Sequence, residues 1–215
     1  MSDPGLRRRF AELWSRLGGL GAASDAFDVL DRAWAEPHRR YHGIDHLRDC
    51  LARLDEAPAG GERRDTVEAA LWYHDAVYRP GAKDNEALSA GLAYRWLDEG
   101  GVSRDRAGEV ARLVRATDHL ASVPASDPGA ALVCDVDLSI LGREPGEFAE
   151  YERRIREEYR HVPEPLYRAG RAGILTALLR RDPIFLTSHF RNRYESAARR
   201  NLRRALQGLD GRPEK

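Results

Sequence analysis

Seven histidines are spread along the 215-residue chain, and some stand where a metal ion would use them. His42 and His46 are four residues apart in Tyr41-His42-Gly43-Ile44-Asp45-His46, so a helix beginning there would project both from one face. His74 follows Leu71 by three residues and Val67 by seven, on the apolar stripe of an expected helix, with Asp75 beside it. An aspartate next to a core histidine is costly to bury alone. A divalent ion removes that cost, because neutral imidazole and carboxylate are both good ligands. Two more acids interrupt the hydrophobic run Cys134-Asp135-Val136-Asp137-Leu138. Helical spacing groups Asp137 with Val133, Ile140 and Leu141 on an apolar face and leaves Asp135 less clearly buried. Asp137 is therefore the expected ligand, and Asp135 a partner that orients an imidazole. Taken alone, His42 with His46 or His74 with Asp75 reads better as packed histidines and a solvent-facing acid; their co-occurrence in one small domain points to a site.

The elements that must position these residues read as helices throughout. The first covers Leu6 to Leu17, with Phe10, Leu13, Trp14 and Leu17 on one face, and ends at Gly18-Gly19. Ser24 is the expected cap of a second, with Phe27, Leu30, Ala33 and Trp34 inward, stopped by Pro37. A third begins near Tyr41 and runs to the linker at Pro58, and a strong one spans Glu62 to Tyr78. Asp84 and Ser103 are expected to cap the next two, the second ending near Thr117. After the loop from Ala121 to Pro128, helices are expected over Ala130–Leu141, Pro145–Arg160, Pro165–Arg181 and Ser188–Gln207. Val133–Val136 is the one place where a short strand is conceivable. With no internal repeat and no domain-sized linker, the expectation is a single all-α domain over residues 1–208 and a polar tail over 209–215.

Composition excludes several classes. Apolar residues make up 42% and charged residues 33% of the chain, and 35 basic residues cancel 35 acidic ones, so no global field favours nucleic acid or an anionic surface. Lys83 and Lys215 are the only lysines. No run approaches the ~18 apolar residues of a membrane span, and the arginines of the N-terminal ten residues precede no apolar signal segment. A cytoplasmic protein is expected, with Cys50 and Cys134 as packed, reduced thiols. The alternating charges from Tyr151 to Tyr159 read as a solvated helix with pairs four residues apart.

The ordered set His46, His74-Asp75, Asp137 resembles the H…HD…D signature of the HD-domain metal-dependent phosphohydrolase superfamily. The flanks resemble a bacterial subgroup of predicted HD-superfamily phosphohydrolases: Asp84-Asn85-Glu86 with Ser89-Ala90, Asp135-Val136-Asp137 through Gly142, Ile155-Arg156 with Glu158-Tyr159, and Glu195 with Ala198-Arg199 and Asn201-Leu202. The similarity runs from about Trp34 to Leu206. It implies an all-α orthogonal bundle, a divalent metal held by His46, His74, Asp75 and Asp137, and hydrolysis of a phosphomonoester, phosphodiester or nucleotide. The Tyr41–His46 segment is also similar to the His-x-x-x-His opening of cyclic-nucleotide phosphodiesterases of the same superfamily. That likeness implies that His42 protonates the leaving oxygen and His46 binds the metal, although Gly43 stands where those enzymes carry asparagine.

The expected chemistry is attack by a metal-bound hydroxide, since a divalent ion lowers the pKa of its water and offsets phosphoryl charge, with His42 as general acid. Mixed nitrogen and oxygen ligands suit manganese, cobalt, nickel, iron or zinc better than magnesium. Asp75 counts among the catalytic residues because it would bridge a second ion if one binds. Glu86 is a further catalytic candidate for holding water or substrate, though an acid in a first helical turn is also ordinary dipole chemistry. His119, Lys83 and Arg79 are candidates for the substrate phosphate, and Arg171 stands out in a stretch of small residues. The substrate expected is a nucleotide or another small phosphorylated metabolite. A nucleotide-sensing module with little turnover and an iron-dependent oxygenase on the same scaffold are the alternatives.

Overall fold

The computed structural model describes residues 3–58, 63–119 and 127–209. Among them are ten α-helices and one 3-10 segment, with no strand. The chain divides into two compact units, Met1–Asp118 and His119–Lys215.

The first unit holds α1 (Pro4–Arg16), α2 (Ala23–Trp34), α3 (Ile44–Glu56), α4 (Arg64–Tyr73), α5 (Asn85–Glu99) and α6 (Arg104–Ala116). Asp3 starts α1 by accepting the Gly5 and Leu6 amides at 2.8 and 3.3 Å, with Pro4 in the first turn. α4 is the central helix. It packs against α1, α3, α5 and α6, and every residue from Thr66 to Tyr73 is buried, which suits a helix surrounded on all sides. Phe10, Phe27 and Trp72 meet at centroid separations of 5.1 to 6.1 Å, in the tilted and edge-on geometries that aromatic quadrupoles favour.

The second unit holds α7 (Pro128–Asp137), the 3-10 segment Leu138–Gly142, α8 (Pro145–Glu158), α9 (Glu164–Leu179) and α10 (Ser188–Leu209). The 3-10 segment packs against α7, α8 and α10. Asn201 clamps its end, donating from Nδ2 to the carbonyls of Leu141 and Arg143, both at 2.9 Å. Gly142 lies so close to α10 that a Cβ there would come within 2.8 Å of the Tyr194 carbonyl oxygen and 2.9 Å of its Cα.

Several sequence expectations are corrected by these boundaries. α2 begins after Ala22, which takes a left-handed φ of 61° and offers no side-chain cap, while Ser24 lies within the first turn and accepts from Arg7. Asp84 occupies the cap position of α5, yet its carboxylate pairs with Arg79 at 2.7 Å and not with the helix backbone. Ser103 does cap α6, accepting the Arg106 amide at 3.4 Å. The stretch that periodicity reads as one helix over Ala130–Leu141 is α7 followed by the 3-10 segment, and Val133–Val136 is helical. Residues 59–62, 120–126 and 210–215 lie outside the described residues, and with them Glu62, the loop expected from Ala121 and the polar tail. No helix among the described residues is long and apolar enough to cross a membrane.

Candidate metal centre

α4 ends at Tyr73, five residues before the expected Tyr78, and His74 is its C-terminal cap. After one more backbone bond, from the Ala76 amide to the Tyr73 carbonyl at 3.0 Å, side chains take over the backbone groups that follow. The Ser89 hydroxyl accepts from the Val77 amide at 3.0 Å and faces the Val77 carbonyl at 3.2 Å. The Asn85 amide bonds both the N–H and the C=O of Arg79, at 3.1 and 3.0 Å. This turn carries Asp75 out of the helical register while leaving His74 buried.

The His74 ring is fixed by its own helix. Nδ1 lies 2.8 Å from the Leu71 carbonyl oxygen. A carbonyl only accepts, so Nδ1 carries the proton and Nε2 presents a lone pair. That is how ligating imidazoles are commonly oriented. His46, in the first turn of α3, places its Nε2 3.1 Å from that of His74. Both rings are sealed from water, at 5% and 1% exposure. Tyr41 and Trp34 close over them, with centroids 4.7 Å from His46 and 5.4 Å from His74.

Asp75 completes a triangle. Its Oδ2 lies 3.3 Å from His74 Nε2 and 4.0 Å from His46 Nε2. With 3.1 Å between the two nitrogens, these three atoms fit on a circle of about 2 Å radius, which matches nitrogen and oxygen bonds of ~2.0–2.2 Å to a divalent transition metal. The residues present therefore fit such an ion.

Cys50 is a neighbour that sequence reasoning left among the packed thiols. It is buried and lies one turn after His46 on α3, and the ligand atoms of His46, Cys50 and His74 fall within 4.8 Å of one another. These three side chains can hold a metal ion. The sulfur is 3.7 Å from His46 Nε2 and 3.8 Å from Nδ1. Cys50 and Asp75 both stand beside the two imidazoles as candidates for a third ligand. The signal in the sequence was the spacing His46-x-x-x-Cys50, one helical turn on the face that carries the ligand.

No protein-family model matches the chain, and neither the curated proteins nor the solved structures contain a significant match.

His42 is not on the α3 face. The helix starts at Ile44 behind an extended Gly43, so the four-residue spacing does not act through helical geometry. Its ring instead stacks on Tyr78, centroid to centroid 4.2 Å, and meets His46 edge-on at 5.9 Å. Glu86 is half-buried in the first turn of α5. Lys83 is exposed, and Arg79 is exposed and paired with Asp84.

In the second unit, the expected burial of the two aspartates is reversed. Asp135 is the fully buried one, and Asp137 retains 15% side-chain exposure. Asp135 does not orient an imidazole. Its carboxylate accepts the amides of Leu186 and Thr187 at 2.8 and 2.7 Å and the Thr187 hydroxyl at 2.6 Å, holding the turn before α10. Burial raises its pKa above the usual 3.8, and those three donors oppose the rise. Asp137, the last residue of α7, pairs through Oδ2 with His119 Nε2 at 2.7 Å. Arg171 is committed to Glu152 at 2.5 and 3.1 Å and to the Tyr151 hydroxyl at 2.7 Å, a buried structural ion pair.

Proposed function

We propose that this chain is a metal-dependent phosphohydrolase of the HD-domain type, with the orthogonal helical bundle of that superfamily, acting on a nucleotide or small phosphorylated metabolite. The observation that carries the reading is the triangle of His46 Nε2, His74 Nε2 and Asp75 Oδ2, with sides of 3.1, 3.3 and 4.0 Å. Two neutral imidazoles and one carboxylate form a donor set suited to manganese, iron, cobalt, nickel or zinc. The resemblance adds Asp137 as a further ligand. A divalent ion held there supplies an acidified water and offsets charge on a phosphoryl group.

The chain's own residues do the rest. The Leu71 carbonyl keeps the His74 proton on Nδ1 and so keeps Nε2 free to bind. The buried aromatic surround limits competing water. His42, set by its stack on Tyr78, is the donor to the leaving oxygen. Glu86 orients water or substrate, and Lys83, Arg79 and His119 receive the phosphate.

The test is metal analysis of the purified protein followed by a phosphate-release screen over phosphomonoesters, nucleotides and cyclic dinucleotides. Asp75→Ala is expected to lose both bound metal and release; release of equal size from wild type and Asp75→Ala refutes the proposal. Asp137→Ala checks the motif-based ligand by metal stoichiometry. Oxygen consumption with bound iron would favour the oxygenase alternative. A nucleotide-dependent rise in Tm without turnover would favour the sensing module.

A further inference from the structure

Arg39 belongs to the pair Arg39-Arg40, which in sequence is indistinguishable from two solvated arginines. Arg40 is exposed. The Arg39 side chain is 1% exposed, and a buried guanidinium needs both a counter-charge and acceptors for its fork of donors. Glu36 supplies the charge, accepting from Nε at 2.9 Å. The remaining donors go to main-chain carbonyls. Nη1 donates to His42 at 3.0 Å and Asp75 at 2.6 Å, and Nη2 donates to Ala76 at 3.3 Å. The guanidinium carbon also lies 5.5 Å from the ring centroids of both Trp34 and Tyr78, within range of cation–π attraction.

These carbonyls occur at two places where helical bonding is missing. His42 precedes the start of α3 at Ile44, and Asp75 and Ala76 follow the end of α4 at Tyr73. One planar cation thus joins the turn bearing the candidate acid to the turn bearing the candidate carboxylate ligand. Its rings are the same Trp34 and Tyr78 that pack on His74 and His42. We infer that Arg39 is a positioning residue for the centre, resting on the function proposed above: it fixes Asp75 relative to His42 through their backbones and touches neither metal nor substrate. Lysine cannot replace it, because an ammonium lacks the planar fork that reaches several carbonyls in fixed directions.

The experiment titrates the full-length protein, stripped of metal, with manganese and with zinc by calorimetry. Absence of binding by wild type refutes the proposed function itself and, with it, this inference. Given wild-type binding, Arg39→Met and Arg39→Lys, shown by circular dichroism to be folded well below their Tm, are expected to bind about 10- to 100-fold more weakly, as loss of groups behind metal ligands commonly does. Arg39→Ala is expected to regain affinity in millimolar ethylguanidinium and not in ethylammonium. A purely structural role would lower Tm and leave the affinity of the folded variants unchanged, and that result overturns the inference. Should Arg39→Met fail to fold, Arg39→Lys, which keeps the charge and most of the stem, carries the test.

Discussion

Asp135 and Asp137 are two residues apart, and the sequence pattern assigned their burial the wrong way round. Periodicity assumes that the helix continues, but α7 gives way to a 3-10 segment at Leu138, so Ile140 and Leu141 do not mark the face of Asp137. The true signal for Asp135 lies about fifty residues away, in the amides of Leu186 and Thr187, which no local pattern displays. Because it accepts only from N–H and O–H donors, Asp135→Asn would turn an amide NH2 toward a backbone N–H. Stability is expected to fall by about 1–3 kcal/mol, read as a lowered urea midpoint. An unchanged midpoint would mean that the carboxylate is not the staple described. His74 was legible for the opposite reason: its burial follows from spacing to Val67 and Leu71 within α4. Arg39 and Cys50 were not, since nothing local separates a forked buried arginine from a solvated one, or a thiol beside a ligand from a packed one.

Among the elements, helix starts were legible in part: Ser103 caps α6 as its position suggests, whereas Ser24 and Asp84 resemble caps in sequence but hydrogen-bond arginines instead. Helix ends were harder. α4 stops at Tyr73 because Arg39, Ser89 and Asn85 take over the backbone groups of the next turn, and those partners come from elsewhere in the chain. Glu195 and Asn201, which the family resemblance drew upon, also serve elements: Glu195 accepts the Ile184 and Phe185 amides, and Asn201 ends the 3-10 segment. Gly142 sits at that same end, and Gly142→Ala forces the 3-10 segment away from Tyr194. Its expected cost is about 1–3 kcal/mol, seen as a lowered Tm; a wild-type Tm would show that the two backbones are not in contact. α8 offers a pH test. Arg153, and then Arg154, hydrogen-bond Glu150 and hold its carboxyl down to about 2 from the ordinary 4.5. Its pKa is depressed by folding, so its contribution is present above pH 4.5 and is lost as pH falls toward 2. A carboxyl titration by NMR should place Glu150 well below its exposed neighbours, and high salt should move it back up.

For the whole molecule, all-helical character followed from composition and period, whereas the division at Asp118–His119 had no linker-like composition to announce it. A protein whose native state alone assembles three ligands gains stability from the ion. Metal at a hundredfold excess over Kd is expected to add about 2.7 kcal/mol, measured as a rise in Tm that a chelator reverses; a Tm indifferent to every divalent ion tested would argue against the centre. The same arrangement makes Trp34 an internal optical reporter. Its indole lies 5.4 Å from the His74 ring and is tethered through Nε1 to the Trp72 carbonyl at 3.1 Å. Open-shell ions such as copper or cobalt bound at Nε2 would quench its fluorescence at short range, while closed-shell zinc would leave it bright. Because the chain has four tryptophans, the emission lost on adding an ion to wild type but not to Trp34→Phe reports an open-shell ion in the pocket, with no label attached.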